Sequence, residues 1–247
     1  MSESPRRALR IAAAALAFVL PAAGAAAASR AEFHTLRVGI VVYEGVEVLD
    51  FTGPAEVFAS AGHSLQIEGR RLFEVVTVAP KKDAVLAHGG VTVMPCYAIA
   101  DVPKLDVIVI PGGETGSLDR DKAFQEWLRK AAADARIVMS VCNGAFVLAD
   151  LGLLDGLEAT TFHGAIGFLK NGYPKTKVLP GRRVVDNGHV ITTGGVSCGI
   201  DGALHVVARL GGRKLADDVA NYIEYRWQPE PQLEGLSLIH ISEPRDS

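Results

Sequence analysis

The stretch Ile137-Val138-Met139-Ser140-Val141-Cys142-Asn143-Gly144-Ala145 decides the fold. An apolar run ends in a cysteine, and small residues and a helix-like segment follow at once. A continuous apolar run, rather than an alternating one, suits a strand buried on both faces of a parallel sheet. A sharp strand-to-helix turn around a nucleophile needs small neighbours and lifts the side chain out at the sheet edge. The pattern differs from a full Gly-x-nucleophile-x-Gly elbow, because Ser140 and Gly144 flank Cys142. A helix N-terminus behind the cysteine would favour the thiolate and lower the thiol pKa. The alternative is a buried structural cysteine, the common state of free Cys.

Outward from this stretch, similar Val- and Ile-rich runs occur at Leu36–Tyr43, Phe73–Ala79, Val107–Ile110 and His189–Thr193. Between them lie helical spacings. Phe124, Trp127, Leu128 and Ala131 fall at i, i+3, i+4, i+7; Ile200, Ala203, Leu204, Val207 and Ala208 repeat that spacing, as do Leu215, Val219, Tyr222 and Ile223. Strand–helix alternation predicts an α/β fold, a three-layer sandwich with a mostly parallel, flavodoxin-like central sheet. His88-Gly89-Gly90-Val91 predicts a small antiparallel flap, and Asp186-Asn187-Gly188 a hairpin within Arg182–Thr193.

In open α/β sheets, sites form at the carboxyl ends of strands. Two further strand ends carry unusual residues. In Ile110-Pro111-Gly112-Gly113-Glu114-Thr115-Gly116, paired glycines let backbone N–H groups face a cleft. Gly113 and Asn143 are candidate oxyanion donors, although a plain strand-to-helix loop fits the glycines equally well. In Glu47-Val48-Leu49-Asp50-Phe51-Thr52-Gly53-Pro54, an acid stands just before an expected helix start, with Pro54 in the first turn. Asp50 or Thr52 could simply cap that helix. Alternatively, Asp50 is poised beside the thiol with a raised pKa and exchanges protons with it.

Taken in order, Asp50, Gly112-Gly113 and Cys142 make the chain similar to the ThiJ/PfpI superfamily, whose fold is that of class I glutamine amidotransferase domains. The likeness runs from about Arg37 to Pro231. Leu49-Asp50-Phe51-Thr52-Gly53-Pro54 and Gly194-Gly195-Val196-Ser197-Cys198-Gly199-Ile200-Asp201 resemble the isonitrile hydratase branch and related sensor domains of transcription regulators. The resemblance implies a cysteine-dependent hydratase or hydrolase in which Cys142 and Asp50 are catalytic. Gly112, Gly113, Asn143, Thr52 and His163 would line the oxyanion site or pocket. It also implies a small-molecule substrate, no cofactor, no metal and a homodimer. The alternative is a non-catalytic ligand-binding or redox-sensing domain with an oxidisable Cys142; aldehyde chemistry of other branches is a third. Asn143 stands where the hydratase branch has Thr. His directly after the cysteine, the peptidase pattern, is absent, and Thr160-Thr161-Phe162-His163 displaces by one position the His of the usual Thr-Thr-His string.

Across all 247 residues, 49% are hydrophobic and 21% charged, which excludes disorder and collagen-like repeats. A net charge of −3 argues against a nucleic-acid partner held through phosphates. Three cysteines are too few for a disulfide-stapled scaffold; with Cys142 free, only Cys96–Cys198 could pair. Residues 1–28 hold Arg6, Arg7 and Arg10, an apolar stretch and a small-residue end at Ala26-Ala27-Ala28. This order predicts a cleaved Sec signal, or a Tat signal given the Arg6-Arg7 pair, with export to the periplasm and no stable membrane anchor after cleavage. A transmembrane anchor is the alternative. The last thirteen residues, Gly235 to Ser247, resemble translated sequencing-adapter read-through and are expected to be a non-native or disordered tail. The segment between, 29–234, holds 21 basic and 25 acidic residues and is expected to form one domain.

Overall fold

The computed structural model describes residues 34–67 and 69–229. The N-terminal segment 1–28 and the tail 235–247 lie outside them. Among the described residues, no helix is long and apolar enough to cross a membrane.

The strands of the central sheet are β1 (Leu36–Val41), β2 (Phe73–Ala79), β3 (Tyr97–Ala98), β4 (Val107–Ile110), β5 (Ile137–Ser140), β6 (Val184–Asp186) and β7 (Val190–Thr193). They lie in the order β6-β7-β5-β4-β1-β2-β3. All neighbours are parallel except β6, an antiparallel edge strand paired to β7. Every residue of β4, β5 and β7 is buried, which requires cover on both faces and explains why these segments read as unbroken apolar runs.

The cover comes from α1 (Val48–Ser64), α2 (Gly116–Arg120), α3 (Lys122–Asp134), α4 (Gly144–Asp150), α5 (Ile166–Gly172), α6 (Cys198–Gly211) and α7 (Arg213–Tyr222). Helices α1, α6 and α7 pack on one another, with α1 and α6 also against the sheet, while α4 packs on β4, β5 and α2. Helix α1 buries Phe51, Pro54, Val57, Phe58 and Ala61. The Phe58 ring meets Phe73 of β2 edge-on at 5.4 Å, a geometry that adds about 1 kcal/mol to simple burial.

Both predicted hairpins form. Val85–Leu86 and Thr92–Val93 pair antiparallel around a turn at His88–Gly90. This flap is tied to the loop before α1 by Gly45 N–H to Leu86 O and His88 N–H to Val46 O, both 2.8 Å. The β6–β7 turn is closed by Gly188 N–H donating to Asp186 Oδ1 at 2.7 Å.

Helix α1 differs from expectation. It begins at Val48, so Asp50, Thr52 and Pro54 are all inside it. Glu47 is its N-cap residue and makes no side-chain cap bond. Neither Asp50 nor Thr52 caps it: the Thr52 hydroxyl donates back to Val48 O at 2.8 Å. Proline cannot donate to the carbonyl four residues earlier. Near a helix start this leaves only the Asp50 carbonyl without its intrahelical donor, so the helix passes through Pro54.

Candidate active site

Four adjacent strands, β7, β5, β4 and β1, deliver the site from their carboxyl ends. Strand β5 ends at Ser140, and Cys142 adopts φ 56°, the left-handed region, before α4 begins at Gly144. Such a conformation is costly for a non-glycine residue and is held by its surroundings. Two bonds hold it here: Cys142 N–H donates to Gly194 O at 3.0 Å, and Thr161 Oγ1 donates to Cys142 O at 2.7 Å. Gly144 is indispensable to the turn, since a Cβ there would lie 2.0 Å from Ile110 O.

Strand β4 leads into Pro111-Gly112-Gly113. The Gly112 carbonyl accepts from Tyr43 OH at 2.8 Å and from Glu47 N–H at 2.9 Å. Its N–H donates to Asp50 Oδ2 at 2.9 Å. A Cβ on Gly112 would meet Asn143 N, Cys142 Cβ and Asp50 Oδ2, all within 2.9 Å. The absence of a side chain is what lets the three strand ends close on one another. Gly113 bridges to Val46 on the loop before α1.

Asp50 is fully buried and Cys142 is 6% exposed. The Asp50 carboxylate accepts Gly112 N–H on Oδ2 and Val196 N–H on Oδ1, the latter at 3.0 Å, and interacts with the Cys142 thiol. Burial pushes the Asp50 pKa up to about 7, with Glu47 adding to the rise and the two N–H donors and the thiol opposing it. Burial, then the charge of Asp50, pushes the Cys142 thiol up to about 12, against a lowering contact from Asn143 N–H. The expectation of a lowered thiol pKa is therefore corrected. Helix α4 has only seven residues, and its N-terminal field is outweighed by desolvation and a neighbouring carboxylate.

Beside the elbow opens a pocket of about 410 Å³ lined by Thr115, Asn143, Phe146, Phe162, Gly164, Ala165 and Phe168. Asn143 Oδ1 is buried there with no hydrogen-bond partner. Gly195 sits between Phe162 and Cys142: a Cβ on it would lie 2.6 Å from the Phe162 ring and 3.3 Å from Cys142 Sγ.

The structure thus brings together Cys142, Asp50, Gly112, Gly113 and Asn143. Thr52 points its hydroxyl into its own helix. His163 is exposed and leans on Phe162 with ring centroids 4.2 Å apart and planes inclined by 55°; Phe162, one residue earlier, takes the place in the pocket wall. Sequence reasoning missed the Val196 N–H, Thr161 and Phe162. A glycine pair directly after β7, matching the pair after β4, was the available signal for the first. All three cysteines are free thiols, so Cys96 and Cys198 do not pair. Among the described residues, no cluster of His, Cys, Asp or Glu could hold a metal ion.

Comparison with known proteins agrees with this architecture. Residues 36–209 match the model of the DJ-1/PfpI family. The chain is 37% identical over 198 residues to isonitrile hydratase from Pseudomonas putida, covering 78% of this chain and 80% of that protein. It is 30% identical over 185 residues to the HTH-type transcriptional regulator CdhR from Pseudomonas aeruginosa, covering 73% of this chain but 55% of the regulator. A crystal structure of a ThiJ/PfpI family protein from Pseudomonas syringae superposes with a TM-score of 0.68 at 27% identity, covering 86% of this chain and 84% of that one. Fold, elbow and matched sequence agree, and the chain belongs to the DJ-1/PfpI family.

Proposed function

We propose that this protein is a cofactor-independent hydratase that converts isonitriles to N-substituted formamides through Cys142. The observation that carries this reading is the burial of the Cys142 thiol beside an Asp50 carboxyl that Gly112 N–H and Val196 N–H hold in place, with the carboxyl pKa pushed up to about 7. A carboxyl so placed can take and return a proton near neutral pH. The likeness to isonitrile hydratase supports the choice of substrate.

Asp50 takes the thiol proton as Cys142 Sγ bonds to the terminal carbon of the isonitrile. Once Asp50 holds that proton, its repulsion of the sulfur vanishes, so the thiolate forms only while it is reacting. Asp50 delivers the proton to the same carbon, giving a thioimidate, R–N=CH–S–Cys142. Water then adds to this carbon, with Asp50 removing its proton and passing it to nitrogen. Collapse of the tetrahedral adduct breaks the C–S bond, and the hydroxyl proton returns through Asp50 to the sulfur. The sum is isonitrile plus water giving formamide. Asn143 N–H lies against the sulfur, where it can stabilise charge as the C–S bond forms and breaks. The unpartnered Asn143 Oδ1 is an acceptor for the N–H created on the substrate, and the phenylalanine walls suit an apolar substituent.

A redox-sensing role is less well supported. Peroxide oxidises the thiolate, and burial with Asp50 holds Cys142 as the thiol. Export to the periplasm and assembly as a homodimer are part of the same proposal; the order of residues 1–28 supports the first and the family resemblance the second. The test is formamide production from a simple alkyl or aryl isonitrile by purified protein. Turnover that falls at least about 10³-fold in Cys142→Ala is expected for loss of a covalent nucleophile. Turnover equal to that of Cys142→Ala would sink the proposal.

A further inference from the structure

Thr161 lies outside regular secondary structure, yet it is only 2% exposed. Its hydroxyl crosses 19 positions of the chain to donate to the Cys142 carbonyl at 2.7 Å. Ala145 N–H also donates to that carbonyl, but at 3.3 Å, so Thr161 makes the shorter bond. The segment carrying Thr161 is fixed separately. Thr160 N–H donates to Thr192 Oγ1 on β7 at 2.9 Å, and Thr160 Oγ1 donates to Arg182 O at 3.3 Å. Thr161 therefore reaches the elbow from a base anchored on the central sheet.

We propose that Thr161 is a positioning residue: by holding the Cys142 carbonyl, its hydroxyl keeps the nucleophile in the left-handed conformation that sets Sγ against Asp50. The proposal rests on reading Cys142 as the reacting group, and it is independent of the substrate. Cys142 is pinned on both sides, its N–H on Gly194 O at 3.0 Å and its carbonyl on Thr161. At φ 56° its Cβ crowds the backbone, and contacts from elsewhere must offset that cost. The place where a Gly112 Cβ would stand is 2.8 Å from Cys142 Cβ and 2.9 Å from Asp50 Oδ2. The thiol-bearing carbon and the carboxylate thus face one small gap. Relaxation of φ to negative values would rotate Cβ out of that gap and carry the sulfur away from Asp50.

Thr161→Val removes the hydroxyl and keeps the shape, whereas Thr161→Ser keeps the hydroxyl. Hydrogen exchange at the Cys142 amide, read by NMR in the intact protein, reports opening of the elbow without any substrate. In Thr161→Val that exchange should quicken about tenfold while the amides of β5 keep their rates. Isonitrile turnover should lose about 10- to 100-fold in kcat with KM little changed, as expected for a misplaced reacting group. Thr161→Ser should stay near wild type in both measurements. If Thr161→Val does not fold, Thr161→Ala compared with Thr161→Ser isolates the same hydroxyl. Unchanged exchange or unchanged kcat in Thr161→Val, exchange that quickens equally along β5, or a Thr161→Ser protein as impaired as Thr161→Val would overturn the proposal. The two claims separate cleanly. Quickened Cys142 exchange in Thr161→Val, with no formamide made by the wild type, keeps the role of Thr161 and removes the hydratase reading. Formamide production with unchanged exchange and kcat in Thr161→Val does the reverse.

Discussion

At the scale of the residue, Asp50 carries a stability consequence of its own. Its folded-state pKa, near 7, is above the ordinary carboxylate value, so the folded protein binds this proton more tightly than the unfolded chain does. Stability contributed by Asp50 is therefore full at low pH and is lost as pH rises from about 4 through 7, at up to about 1.4 kcal/mol per pH unit. Thermal melts of wild type and Asp50→Asn between pH 5 and 8 should diverge, with the wild type losing ground as pH rises; a pH-independent difference would contradict the burial assigned to this carboxyl. Cys142, Asp50 and the two glycines were legible in the sequence because each ends an apolar run. The Val196 N–H was not, because any residue carries an N–H and only the fold aims this one at Asp50. The valine itself sits at φ 53°, a conformation that a β-branched side chain resists. The thiol pKa was misjudged for a related reason: sequence shows the adjoining helix but not how deeply the sulfur is buried.

At the scale of the element, the strand–elbow–helix unit depends on close backbone approach. Gly144→Ala would press a methyl group into the Ile110 carbonyl, forcing β4 and α4 apart. A loss of about 1–3 kcal/mol or more is expected from overpacking of this kind, measured by urea unfolding; unchanged stability would show that the elbow is looser than described. The β-strands were readable because burial on both faces leaves a simple apolar signature. The start of α1 was placed late because Pro54 suits a first turn, whereas the real constraint is Glu47 N–H bonding to Gly112 O. That contact spans two strand ends and leaves no local sequence mark.

At the scale of the whole molecule, the antiparallel edge is fastened to the helical layer by a partly buried ionic cluster. Asp186 on β6 accepts from Arg209 Nη1 at 3.0 Å and lies 2.7 Å from His205 Nε2, both on α6. Burial alone would raise the Asp186 pKa, but the hydrogen bond from His205 and the charge of Arg209 hold it below the usual carboxylate range. The folded-state pKa is depressed, so this stabilisation is complete above the unfolded value and disappears as pH falls below about 4. Acid unfolding followed by circular dichroism should show a steep loss there, and Asp186→Asn should flatten it; an identical acid limb would place the tie elsewhere. The α/β class, the parallel sheet and both hairpins were legible, because periodicity and turn residues are local signals. Which helices share a face, and which side chains meet across the pocket, come from packing that one sequence does not display.

The central claim is that Cys142 forms a bond to the isonitrile carbon while Asp50 carries the proton. The most direct measurement is peptide-level mass spectrometry of the protein quenched with borohydride during turnover of an isonitrile. The mechanism predicts a reduced thioimidate on the peptide bearing Cys142, heavier by the isonitrile plus two hydrogens, with Cys96 and Cys198 unmodified. Formamide production with no adduct at Cys142 during turnover, or undiminished production by Cys142→Ala, would contradict it.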